Sequence, residues 1–87
     1  MEYRAIKMSP QDNVAITVAA IPKGATVNIP GYGKVVTNQE VPNGHKIALV
    51  PIPRGLDVIR YGETICSAKE DINAGDWVHL HNTISTF

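Results

Sequence analysis

The chain has 87 residues, of which 44% are hydrophobic and 18% charged. A chain of this size folds around one modest core, burying roughly 60% of its unfolded surface, and this composition is too apolar for disorder. Eight basic residues balance eight acidic ones and each Lys or Arg stands alone, so the electrostatic footprint of a nucleic-acid binder is missing. Cys66 is the single cysteine, which rules out an intramolecular disulfide and favours a cytoplasmic location over a secreted scaffold. Residues 1–10 carry Glu2, Arg4 and Lys7 among their apolar positions and do not read as a signal peptide. No apolar run reaches the length that spans a bilayer, so neither membrane nor nucleic acid is expected as a partner.

Taken in chain order, Asp12-Asn13 comes first, a pair that caps turns by accepting from backbone amides. A β-branched segment follows at 14–18, with others at 34–37, 46–52, 58–61 and 77–82, and together they read as short strands. They are punctuated by one phrase in four versions: Ile21-Pro22-Lys23-Gly24, Val41-Pro42-Asn43-Gly44, Ile52-Pro53-Arg54-Gly55 and Ile72-Asn73-Ala74-Gly75. Each is expected to end one strand and start another through a tight turn with Pro second and Gly fourth. The phrases start 20, 11 and 20 residues apart, which suggests paired units rather than a fixed-period solenoid. The one helix signal is Thr37 with Glu40, a capping-box pair cut short by Pro42. The expectation is a compact all-β domain with at most one or two helical turns, the first candidate lying over 37–41.

The segment Trp77-Val78-His79-Leu80-His81-Asn82 is the richest in chemistry. Alternation along a strand puts His79 and His81 on one face, about 7 Å apart, with Val78 and Leu80 on the other. Two imidazoles so placed can share a divalent metal, or one can bind while the other moves protons near neutral pH. The same spacing also suits a half-exposed strand with two uncharged histidines. His45, the third histidine, follows a turn and has Lys46 beside it, where it can meet an anionic group or simply be wetted by solvent. Cys66 lacks the basic surroundings of a nucleophile. No Ser-His-Asp order, phosphate-binding glycine loop or paired-Cys zinc spacing is present, so a complete active site cannot be assembled from this chain.

Four phrases carry a family resemblance: Asp12-Asn13-Val14-Ala15, Gly44-His45-Lys46-Ile47-Ala48-Leu49, Val58-Ile59-Arg60-Tyr61-Gly62, and Trp77 through Asn82. In this order the chain, best over 12–82, resembles the SAF domain of the sugar-acid dehydratases of the altronate and galactarate type. The domain also occurs as the small subunit of sulfolactate sulfo-lyase. The resemblance implies a β-clip fold of short strands over 1–87 as one domain. It also implies a lyase (hydro-lyase) role in carbohydrate acid metabolism, shared with a large dehydratase catalytic domain or subunit. This chain keeps the terminal His-x-His-Asn phrase, which places it on the altronate side, and has Cys66 where relatives usually have Gly. The implied chemistry takes a proton beside a carboxylate while a poor leaving group departs, which calls for a cation and a general acid. On that basis His45, His79 and His81 are the expected catalytic residues, converging on one open edge. Asp12, Asn13, Lys46 and Asn82 are expected to bind the sugar acid, and His79 with His81 to contribute to a divalent metal, iron or manganese, in the complete enzyme. The isolated chain is expected to be inactive. The competing expectations are a sulfolactate sulfo-lyase small subunit and a non-catalytic carbohydrate-binding or assembly module.

Overall fold

A computed structural model describes residues 2–85. Nine short strands run in chain order: β1 (Tyr3–Ile6), β2 (Val14–Thr17), β3 (Thr26–Ile29), β4 (Gly33–Val36), β5 (Lys46–Ala48), β6 (Asp57–Arg60), β7 (Glu63–Ala68), β8 (Trp77–Val78) and β9 (Thr83–Ser85). They form a six-stranded sheet in the order β4-β3-β1-β2-β5-β8 and a three-stranded sheet β6-β7-β9. Only β1 and β3 pair in parallel. No helix occurs among the described residues. The helical turn expected over 37–41 is therefore absent. The Thr37 hydroxyl, rather than capping a helix, accepts from the Ala25 N–H and donates to the Pro22 carbonyl, so the chain there is tied to a different turn.

β2 and β5 of the large sheet bury side chains on both faces. On β2, Val14 faces one core cluster and Ala15 the other; on β5, Ala48 and Ile47 divide in the same way. Such strands need apolar side chains at successive positions rather than alternation. β5 is shorter than the 46–52 segment expected, since the chain bends after Ala48 and Pro51 has no N–H to extend a ladder.

The two cores are copies of one plan. Ile21, Val27, Val35 and Ile47 of the first cluster recur 31 residues later as Ile52, Val58, Cys66 and Val78 of the second. Backbone bonding repeats at the same offset: Ile21 exchanges both bonds with Val41, and Ile52 with Ile72. The four turn phrases are thus two pairs, each closing one unit. Their geometry differs from the expected form. In three of them the amide after the glycine returns to the carbonyl of the phrase's second residue, as from His45 to Pro42, Leu56 to Pro53 and Asp76 to Asn73. Pro or Asn therefore stands first in the turn and Gly third, at φ of 78 to 90°, the left-handed position of a type II turn.

Candidate functional site

His45, Lys46, Trp77 and His79 come together because β5 and β8 are neighbours, with Lys46 opposite Val78 and Ile47 opposite Trp77. His45 enters on the turn before β5. That turn is fixed by Thr17, which is buried at 2% exposure. The Thr17 hydroxyl donates to the Pro42 carbonyl at 2.7 Å and accepts from the His45 N–H at 3.2 Å, while the Thr17 N–H donates to the His45 carbonyl at 2.9 Å. Nothing in the sequence marks Thr17 for this task, since its partners are 25 and 28 positions away.

Trp77 is the hub. The His79 ring stacks on the indole, 5.3 Å between centroids and 9° between planes. The rings of His81 and His45 lie at 5.2 and 5.6 Å from it, both tilted. His45 and His79 are 4.8 Å apart. The indole Nε1 donates to His45 Nδ1 at 3.2 Å, so neutral His45 carries its own proton on Nε2.

The carrier of His79 and His81 is not the long strand the alternation suggested. β8 ends at Val78, and 79–82 form a turn. Asn82, 5% exposed, closes that turn: its Oδ1 accepts from the His79 N–H at 2.9 Å and its Nδ2 donates to the Trp77 carbonyl at 2.8 Å. Leu80, expected to share a face with Val78, is 78% exposed while Val78 is buried, because a turn does not preserve strand alternation.

The expected substrate contacts separate into two kinds. Lys46 is half-buried and lines a cleft of about 240 Å³ together with Ile65, Cys66, His79, Leu80 and Thr83. Asp12, Asn13 and Asn82 spend their polar atoms on the backbone. Asp12 accepts from the N–H groups of Ser9, Tyr61 and Gly62 at 2.8 to 3.1 Å. Asn13 is bonded to the Asp57 carbonyl and the Ile59 N–H, both at 2.8 Å. Their role in this fold is to hold the β6–β7 hairpin and the histidine turn in place. Arg60, which the sequence reading used only as part of a motif, also stands near this region. A broader hollow of about 510 Å³, lined by Glu2, Tyr3, Thr26, Asn28 and Lys34, lies at the β3–β4 side and contains no histidine.

The electrostatics are those of crowded cations. Burial, with the Arg60 charge beside it, lowers the Lys46 ammonium pKa below its ordinary value, and Cys66 opposes this. Loss of solvent contact, then the charges of His45, Lys46 and His81, lower His79 as well. The described residues do not complete a metal site by themselves. Among the described residues no group of three or more His, Cys, Asp or Glu side chains is placed to hold an ion, and His45 Nδ1 is already engaged by Trp77.

This small all-β domain gathers three imidazoles and a lysine at one rim, without a complete catalytic set. Residues 3–86 match the family model of the altronate/galactarate dehydratase SAF domain, and the chain belongs to that family. It is 43% identical to altronate dehydratase of Escherichia coli (strain K12) over 95% of its own length and 16% of that protein's. It is 36% identical to altronate dehydratase of Bacillus subtilis (strain 168), over 90% of the chain and 16% of that protein. Against (2R)-sulfolactate sulfo-lyase subunit alpha of Paracoccus pantotrophus it is 37% identical over 56% of the chain and 73% of that subunit. The chain thus spans about a sixth of the dehydratases it resembles, which sets it in a lyase family context. No helix among the described residues is long and apolar enough to cross a membrane.

Proposed function

We propose that this domain forms one wall of the active site of an altronate-type sugar-acid dehydratase, whose larger catalytic region supplies the remaining acids, bases and the divalent metal. The observation that carries this reading is the pairing of His45 and His79, 4.8 Å apart around Trp77 and next to the Lys46 cleft. Dehydration removes a proton from the carbon beside the carboxylate and expels a hydroxyl from the next carbon. The departing hydroxyl needs a proton as its C–O bond breaks, and imidazole is the side chain whose ordinary pKa suits that transfer near neutral pH. In this arrangement neutral His45 carries its proton on Nε2, His79 lines the cleft, and His81 flanks the indole. Trp77 and Asn82 orient the rings, which act only when held within hydrogen-bond reach of the reacting group.

The match to most of the sulfo-lyase subunit supports a second reading, in which the same rim serves departure of sulfite instead of water. The two are separated by substrate. The test is reconstitution: this chain is combined with the large dehydratase region and supplied with altronate or (2R)-sulfolactate. The expected result is altronate turnover by the combination and none by the small chain alone. Full altronate turnover by the large region without this chain would make the domain an assembly module. Turnover of sulfolactate alone would move the assignment to the sulfo-lyase.

A further inference from the structure

The turn that carries His45 also holds a reactive linkage. Only Asn43, among the asparagines of this chain, is followed by glycine. Glycine has no Cβ to shield its amide nitrogen, and that nitrogen can close a five-membered ring on the carboxamide carbon of the residue before it. Asn43 and Gly44 are both exposed, and the Asn43 carboxamide makes no hydrogen bond to a described residue. By contrast, Asn13, Asn38 and Asn82 are bonded through theirs.

The folded turn keeps the ring from closing. Gly44 has a φ of 78° at the third position of a type II turn, so Asn43 before it takes a ψ of about +120°. Closure needs a different rotation, with the Gly44 nitrogen eclipsing the Asn43 Cβ about the Cα–C bond. The Gly44 N–H is also engaged, donating to the Thr17 carbonyl at 3.0 Å. The Thr17 hydroxyl clamps the turn from both ends through the Pro42 carbonyl and the His45 N–H. We propose that Asn43 is a deamidation site held latent by Thr17, reacting only when this turn opens. In the open turn the Gly44 nitrogen attacks Asn43 Cγ. The N–Cγ bond forms, the Cγ–Nδ2 bond breaks, and ammonia leaves with the proton that Gly44 gives up. Water then adds to either carbonyl of the cyclic imide and reopens it as aspartate or isoaspartate. Aspartate places a negative charge two residues from His45. Isoaspartate lengthens the main chain by one carbon and breaks the turn that holds His45 Nδ1 against Trp77. The inference is independent of the dehydratase reading, since its only co-reactant is water.

The test follows the 87-residue chain in mildly alkaline buffer, with and without urea, by intact mass and peptide mapping. Asn43→Gln is the control, because its six-membered imide closes far more slowly. The mass gain of ammonia exchanged for water is expected to map to Asn43, to proceed at least about tenfold faster in urea, and to vanish in Asn43→Gln. Thr17→Val, which frees the turn of one clamp, should speed conversion of the folded chain about fivefold, and Thr17→Ser much less. Should Thr17→Val fail to fold, the ratio between native buffer and urea decides alone. Equal rates in the two buffers, a gain at another residue, no gain in urea, or a folded Thr17→Val that converts at the unmodified rate would each overturn the proposal. The isoaspartate form, separated by ion exchange, should show a displaced Trp77 indole N–H signal, and an unmoved signal would overturn the coupling to His45.

Discussion

The Trp77 indole Nε1 donates to His45 Nδ1 at 3.2 Å while its face carries the His79 ring at 5.3 Å. One side chain thus sets the tautomer of one imidazole and the plane of another. Trp77→Phe removes the donor and keeps an aromatic face. The expected outcome is a folded domain, less stable by about 1 kcal/mol for the lost hydrogen bond, with turnover in the assembled enzyme reduced about tenfold or more as His45 is freed to rotate. Steady-state kinetics with thermal melting of the same sample checks both parts.

Thr17 controls His45 from below. Its hydroxyl bridges the Pro42 carbonyl and the His45 N–H, and Thr17→Val replaces it with a methyl of similar shape. The Pro42 carbonyl and the His45 N–H then keep only their 3.3 Å bond to each other, an expected cost of about 1 kcal/mol. Thr17→Ser should recover most of that. Urea unfolding of the three proteins measures the difference.

Gly75 and Gly24 each end a turn phrase at positive φ yet differ in their surroundings. A Cβ on Gly75 would lie 2.0 Å from the Val36 carbonyl oxygen, at φ +90°, whereas on Gly24, φ +79°, it would meet nothing within 4 Å. Gly75→Ala combines a backbone collision with left-handed strain and is expected to destabilise by more than about 3 kcal/mol. Gly24→Asn meets only the mild left-handed preference and should cost less than about 1 kcal/mol. Chemical denaturation of the two variants provides the comparison.

His79 should titrate below its ordinary value of 6.5, because reduced solvent contact and the charges of His45, Lys46 and His81 oppose its protonation. Following the imidazole proton signals by NMR against pH gives the midpoint directly. Lys46→Met removes one of those charges and should raise it. The linkage has a definite sign. Between the lowered folded value and 6.5 the unfolded chain binds more protons than the folded one, so this group's stability contribution is present above that window and is lost as pH falls through it.

Much of the fold was legible in the sequence because it rests on local chemistry. Gly24, Gly44, Gly55 and Gly75 announced turns, and the spacing of their phrases anticipated the bridges Ile21 to Val41 and Ile52 to Ile72. What escaped depends on partners distant in sequence. Thr37 read as a helix cap because its true partners, Pro22 and Ala25, are 15 and 12 residues away. Asp12 read as a candidate for substrate contact, and nothing local reveals that its oxygens are taken by Tyr61 and Gly62, 49 and 50 residues on. The 79–82 turn was hidden by residues that suit a strand, since Asn82 ends β8 by bonding back to Trp77 and His79.

The central claim is that the imidazole pair at the Trp77 rim takes part in proton transfer within a larger dehydratase. The direct measurement is altronate turnover by the complete enzyme carrying His79→Gln, with the small domain's folding followed by its amide spectrum. The account predicts an intact spectrum and a fall in kcat of about 100-fold, the ordinary cost of losing an acid-base group. A folded His79→Gln enzyme that turns over altronate at the unmodified rate would contradict it.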